Sequence, residues 1–321
     1  AVLFVAATRL PKRVILIIAK ALLPVSMLLL LLVLIPGVGM SKLGARRWLN
    51  LGLVTLQPSE FAKVGFALYL ASYLAKRRTV IRDLFAGVIP LAVMYIIVAF
   101  LLASQPDVGS AVLLGLLVLV MLVVGGTRLT FLGIGFSLFA LLLMIVIIAQ
   151  PEKLARLVGW LMTDQTRMGE GYQVFNSQIL IGSGGLFGSG LGQGLNHSLG
   201  YLPQSETDFI FSVLGEELGF IGVVLVVVLY AVIAIRGFLL ARICRDDFSR
   251  FAAFFLTLTL TLPAVIHMAV GLGLMPTKGM VCPFLSYGGS AMMATMLALG
   301  LLQRLHLDAT AEQESGWEDG L

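Results

Sequence analysis

Cysteine, histidine and charge are all scarce in this chain of 321 residues. The two cysteines, Cys244 and Cys282, exclude a disulfide framework and a cysteine-rich metal site. The three histidines, His197, His267 and His306, are too dispersed to bind a metal together, so no metal site is proposed. Charged residues make up only 12%, about half of the roughly 25% found in soluble domains. Lys and Arg exceed Asp and Glu by 22 to 17, yet no nucleic-acid partner follows, because membrane proteins gather basic residues on their cytoplasmic side. There is no fixed-period repeat, no low-complexity tract and no visible inverted repeat of the transporter kind. Strict apolar and polar alternation is also missing, which excludes an outer-membrane barrel.

Apolar residues, by contrast, make up 59% of the chain, and the mean hydropathy of +1.01 leaves more apolar surface than one soluble core hides. An all-α polytopic membrane protein is expected. A bilayer core of about 30 Å needs roughly 20 apolar residues per helix, and eight stretches qualify. They are Val14 to Ile35, Ser59 to Ala75, Leu84 to Ser104, Val108 to Gly125, Leu129 to Ala149, Phe209 to Ile235, Phe251 to Leu274 and Met280 to Leu302. Ala1 to Ala7 is apolar but too short to span, and reads as a helix clipped by the start of the chain rather than as a signal peptide. Residues 1–307 form a single transmembrane domain on this reading, followed by an acidic cytoplasmic tail over 308–321.

Threading the spans alternately puts thirteen basic residues on one side and seven on the other, with Lys20 and Lys63 inside spans. The richer side is the cytoplasm. The polar oddities then fall outside: Pro36 to Pro58, the turn Gln105-Pro106-Asp107, the long loop Gln150 to Thr207, and Pro276 to Lys278. A loop of about 58 residues tends to be functional. Its first part, Pro151 to Leu161, places Leu154, Leu157, Val158 and Leu161 on one stripe, as in an interfacial helix with Trp160 as anchor. The glycine-rich run Ile181 to Gly194 lacks the order and the preceding strand of a nucleotide-binding loop. Two readings remain for it: close packing through Gly184, Gly188 and Gly192, or a backbone lip approaching a lipid headgroup.

Charges in or near spans are expensive unless paired or solvated. Glu60 and Lys63 stand three apart on one helix face and are expected to satisfy each other. Glu216 and Glu217 lie two turns into the sixth span and cannot both face one way, so at least one should face a polar cavity or a cation such as Lys63. A lone intramembrane His267 is expected to bond a neighbouring carbonyl. Asp208 has two readings of equal weight. Ser205-x-x-Asp208 fits a helix-capping pattern, and the same carboxylate at the outer mouth of a span fits a general base.

At these positions the chain resembles the SEDS family of shape, elongation, division and sporulation proteins, its FtsW branch more than RodA. The matching runs are G-A-R-R-W-L from Gly44, L-Q-P-S-E-F-A-K from Leu56, Q-P-D-V-G from Gln105 and G-E-G-Y-Q from Gly169. They continue with G-G-L-F-G from Gly184, T-D-F-I-F from Thr207, G-E-E-L-G from Gly215, L-M-P-T-K-G from Leu274 and S-Y-G-G-S from Ser286. Glu206 and Ala291 depart from the pattern, which often has His and Ser at these two places. Family members have ten spans, so the resemblance implies that the first helix and most of the second precede Ala1.

The resemblance implies a peptidoglycan glycosyltransferase that joins lipid II into β-1,4 glycan at the outer face of the bacterial cytoplasmic membrane during cell division. Asp208 would be the base that deprotonates the acceptor sugar. Arg47 and Lys278, with Arg46 beside them, would hold the pyrophosphate. The partners implied are a class B penicillin-binding protein acting as transpeptidase and other divisome membrane proteins. No cofactor is called for, and the sequence does not decide whether a divalent cation is needed. Translocation of lipid II through a path lined by Glu60, Lys63, Glu216 and Glu217 is the alternative activity. A non-catalytic scaffold for the transpeptidase is a third reading.

Overall fold

A computed structural model describes residues 1–42, 45–52, 54–194, 200 and 202–318. Gly44, His197 and Tyr201 lie outside the described residues. The helices, in chain order, are α1 (Val2–Thr8), α2 (Lys12–Leu34), α3 (Pro58–Arg77), α4 (Ile89–Ala103), α5 (Val108–Val124), α6 (Leu129–Ala149), α7 (Pro151–Leu161), α8 (Tyr172–Ser183), α9 (Ser205–Asp208), α10 (Ile210–Ile243), α11 (Asp247–Gly271) and α12 (Gly289–Glu318). Five segments are long and apolar enough to cross a membrane: α2, the stretch Leu84–Ala103 ending in α4, α6, α10 and α11. α5 is a shorter apolar helix. The chain divides into two compact units, one of residues 1–138, 234–260 and 289–321, the other of residues 139–233 and 261–288.

In the first unit the expected outer segment after α2 is not helical. It forms a three-stranded antiparallel sheet of β1 (Gly39–Lys42), β2 (Ala45–Asn50) and β3 (Thr55–Leu56), in that order. Among the described residues this sheet is the departure from an all-α chain. It leads directly into α3, whose start is fixed by the Ser290 hydroxyl. That group accepts from the Gln57 amide at 2.8 Å and donates to the Thr55 carbonyl at 2.9 Å, so S-Y-G-G-S and L-Q-P-S-E-F-A-K are parts of one local arrangement. α2 packs closely on α3, where a β-carbon at Gly65 would come within 2.9 Å of the Leu23 amide nitrogen. A polar cluster ties several helix ends together: Lys12 bonds Asp246 at 2.7 Å and approaches Glu312 at 3.5 Å, while Arg78 and Arg250 both reach Asp247. Burial pushes the Asp246 carboxyl up, but bonds from Lys12 and Ser249 outweigh it and hold the group below its ordinary value. α12 continues to Glu318, so the acidic tail begins inside a helix.

In the second unit the expected eighth span, Met280 to Leu302, is corrected: its helix begins only at Gly289. Pro283 sits in the run, and Phe284 adopts a φ of 68°, a conformation a helix does not contain. The segment is nevertheless buried, with Met280 4% and Cys282 0% exposed. Non-helical backbone at such a place must be satisfied by side chains. His267 Nδ1 lies 3.0 Å from the Met280 carbonyl, the Tyr230 hydroxyl donates to the Pro283 carbonyl, and the Cys282 amide donates to Ser286 Oγ at 2.8 Å. The expected carbonyl partner of His267 is thus Met280. Phe211, Val226, Tyr230, Ala264, Met268 and Cys282 form the apolar core around it.

Candidate active site

Asp208 is the last residue of the one-turn helix α9, and α10 starts two residues later. The capping pattern is not built: Ser205 lies inside α9, the N-cap position is Gln204 in a left-handed conformation, and no side-chain cap bond forms there. The turn is fixed instead by the segment before α12. Ser286 Oγ donates to the Thr207 carbonyl at 2.7 Å, and the Tyr287 amide donates to the Glu206 carbonyl at 3.0 Å. These bonds use the two peptide carbonyls immediately before Asp208. The half-buried carboxylate of Asp208 then lies against Gly279, where a β-carbon would stand 3.2 Å from Oδ2. The structure therefore brings Asp208 and the P-T-K-G turn carrying Lys278 together within one unit.

The carboxylates of α10 sit differently. Gly219 has φ 65° and ψ −166° and breaks the helix, so Glu216 and Glu217 end a short first segment rather than line a continuous span. A broken helix leaves amides and carbonyls without partners. The glycine-rich run supplies them: the Ser189 and Gly190 amides donate to the Glu216 and Glu217 carbonyls at 3.0 Å, and the Phe220 and Ile221 amides donate to the Gly185 and Leu186 carbonyls at 2.9 and 3.2 Å. Close packing of Gly184 and Gly188 is borne out, since β-carbons there would fall 2.0 Å from the Gly215 carbonyl oxygen and 2.1 Å from that of Glu217. Gly192 differs, with nothing within 4 Å and a φ of 70°. From Gly184 on the run follows turns rather than a helix, so the four-residue spacing is not a helical face. Glu216 is 1% exposed and its carboxylate packs against Gly194, while Glu217 is half-buried.

The remaining candidates belong to the first unit. Lys63 and Glu60 are paired at 2.7 Å and both are buried, as their spacing predicts. Arg46 and Arg47 are neighbours in β2 and so point to opposite faces. Arg46 is exposed, whereas Arg47 donates through Nε to the Gln105 carbonyl at 2.9 Å and through Nη2 to the Pro106 carbonyl at 2.8 Å. The turn it holds is itself built in: Gln105 donates to the Leu30 carbonyl and Asp107 caps α5 through Ser110. Arg47 thus has a structural partner that its sequence neighbours do not disclose. Ser286, Ser177 and Trp160 also make contacts that bear on the site. The S-Y-G-G-S run signals Ser286, the amphipathic stripe signals Trp160 only as a membrane anchor, and nothing local signals Ser177. Among the described residues no group of three metal-ligating side chains is gathered.

The sequence profile of a family described as "Cell cycle protein", FTSW_RODA_SPOVE, matches residues 1–311. A probable peptidoglycan glycosyltransferase FtsW from Trichlorobacter lovleyi is 42% identical over 285 residues, covering 88% of this chain and 74% of the relative. One of the same description from Thioalkalivibrio sulfidiphilus is 40% identical, covering 90% and 72%. Among solved structures, a chain of a peptidoglycan synthase complex that coordinates polymerization and crosslinking aligns with a TM-score of 0.78 at 32% identity, covering 96% of this chain and 86% of its own. The rod shape determining protein RodA of Thermus thermophilus aligns with a TM-score of 0.69 at 32% identity, covering 96% and 84%. The matched length, the helix order and the likeness to both FtsW and RodA proteins agree, and the chain belongs to the FtsW, RodA and SpoVE family of cell cycle proteins.

Proposed function

We propose that this chain is a peptidoglycan glycosyltransferase that polymerises lipid II into β-1,4 glycan, with Asp208 as the base. The observation that carries the reading is the Asp208 carboxylate seated against the Lys278-Gly279 turn, on a peptide segment held by Ser286 and Tyr287. In the reaction the acceptor hydroxyl oxygen bonds the donor anomeric carbon as the bond from that carbon to the pyrophosphate oxygen breaks. The hydroxyl proton passes to Asp208, and the electron pair of the broken bond leaves with the lipid diphosphate. Lys278, Arg47 and Arg46 are the cations offered to that diphosphate, whose charge grows in the transition state. Translocation is the lesser reading: Glu60 and Lys63 pair with each other and the Glu216 carboxylate packs against Gly194, so three of the four charges offered to such a path are engaged in contacts within their own units.

Partners and place follow the same reading: a class B penicillin-binding protein as transpeptidase, other divisome membrane proteins, and the bacterial inner membrane with the site on its outer face. On this reading eight helices among the described residues, α2 to α6 and α10 to α12, cross the membrane, and α7 lies at the headgroups with Leu154, Val158 and Leu161 exposed. Purified protein given lipid II in detergent is expected to make glycan without any membrane to cross, and more of it with the cognate transpeptidase. Failure to polymerise in both conditions would leave translocation or scaffolding as the better account. For topology, a cysteine replacing the 91% exposed Met168 should react with a membrane-impermeant thiol reagent on intact cells, and one replacing the exposed Thr79 should not. The native Cys244 is only 3% exposed and is a poor reporter of sidedness. The opposite labelling pattern would invert every assignment to the outer face.

A further inference from the structure

The end of α11 is built in an unusual way. Its terminal backbone follows the Schellman pattern: the Gly273 amide donates to the Val270 carbonyl at 3.0 Å, the Leu274 amide to the Ala269 carbonyl at 2.8 Å, and Gly273 has φ 74°. The next three carbonyls in the chain are each met by a side chain from the long loop. Ser177 Oγ donates to Gly271 at 2.7 Å, Gln178 Nε2 to Leu272 at 3.3 Å and Trp160 Nε1 to Gly273 at 2.8 Å. A β-carbon at Gly273 would meet Gln178 Nε2 at 2.3 Å, so the capping side chain would have to shift. Five residues on stands Lys278, and beyond it the Met280 carbonyl is held at 3.0 Å from His267. The turn bearing Lys278 is therefore strung between two pinned points. Ser177 also lies 2.6 Å from Ser212 Oγ, one helical turn beyond Asp208, and both serines are fully buried.

We infer that Trp160, Ser177 and Gln178 are positioning residues that set Lys278, and its distance from Asp208, by capping the carbonyl end of α11 from the outer loop. The inference rests on the glycosyltransferase reading above. A capping bond that served stability alone would need no link to both site-bearing elements. Here one serine bonds the helix that follows Asp208 and the helix end that leads to Lys278, while Trp160 and Gln178 fix the two carbonyls after it. Three donors from two loop helices converge on three successive carbonyls, so a shift of α7 or α8 moves the turn with it.

The test is a double-mutant cycle on purified protein polymerising lipid II. Trp160→Phe keeps an aromatic ring at the position and removes the N–H donor. It is expected to lower the rate about two- to tenfold, the worth of one net hydrogen bond. Lys278→Ala is expected to lower it about ten- to a hundredfold, as loss of a charge-assisted contact would. In the Lys278→Ala background, Trp160→Phe should then have almost no further effect, because the residue it positions is gone. Multiplying losses would overturn the inference, since a purely structural cap weakens both backgrounds alike. Parental activity in Lys278→Ala would overturn it as well, by leaving nothing to position. Gln178→Met, at an exposed position, runs the same cycle if Trp160→Phe does not fold. A parent protein inactive both alone and with the cognate transpeptidase would instead fail the glycosyltransferase reading itself, a result distinct from both.

Discussion

An Asp208→Asn protein is expected to fold and bind lipid II like the parent and to polymerise it about 10²–10⁴ times more slowly, the span a lost general base covers. The substitution keeps size and shape, and the bonds that hold the backbone of this turn come from other residues. No capping box exists at α9 for Asp208 to complete, and the two preceding carbonyls accept from Ser286 Oγ and the Tyr287 amide, donors that the substitution leaves in place. Initial rates on purified protein, read beside a binding curve for lipid II and a thermal midpoint, separate loss of chemistry from loss of fold. A folded Asp208→Asn protein with a near parental rate would remove Asp208 from the role. Glu217 would be the next carboxylate to examine, because it is half-buried while Glu216 is enclosed against Gly194.

Much of this architecture is legible in the residues. α6 and α7 run over the stretches their patterns predict, Leu129–Ala149 and Pro151–Leu161, because long apolar runs and a proline at a helix start are strong local signals. The Glu60 and Lys63 pair follows from spacing alone. What hydropathy misses is backbone that is apolar and buried yet not helical. Met280 to Leu285 reads as the first turns of a span because Met, Val, Cys, Phe and Leu outweigh the single Pro283 in hydropathy, and such a run scores alike in a helix and in a coil whose carbonyls are met by His267 and Tyr230. The break at Gly219 is hidden for a related reason: the residues that pay for it, Gly185 to Gly190, lie about thirty positions earlier. For the site, the family's motifs mark Asp208 and Lys278, but the donors that place Lys278 come from Trp160 and Ser177, which no local pattern distinguishes from a membrane anchor and an ordinary helix serine. Contacts between distant segments have no signature in any single window.

Of three glycine replacements, at Gly188, Gly192 and Gly182, Gly188→Ala is expected to be the most damaging, and it tests whether the glycine-rich run is a brace or merely a loose loop. Two costs coincide at this position. Its φ of 80° is a region that L side chains rarely adopt, and a β-carbon would stand 2.1 Å from the Glu217 carbonyl oxygen, so backbone rather than a flexible side chain must yield. The first cost is about 1–2 kcal/mol, and displacing packed structure adds about 1–3 kcal/mol. The displacement also pulls at the Ser189 and Gly190 amides, which satisfy the carbonyls at the broken end of α10. Each bond lost there leaves a polar group unpaired, at about 1–3 kcal/mol where water cannot replace the partner. Against a typical total of about 5–15 kcal/mol, the variant should unfold far below the parental temperature in detergent. Gly192→Ala carries the conformational cost without the clash, and should lose only about 1–2 kcal/mol. Gly182→Ala, in α8 with open space around it and an ordinary φ, should be neutral or slightly more stable. Thermal melts of the three should therefore fall in that order, and a Gly188→Ala protein that melts with Gly192→Ala would show that the run does not hold the break.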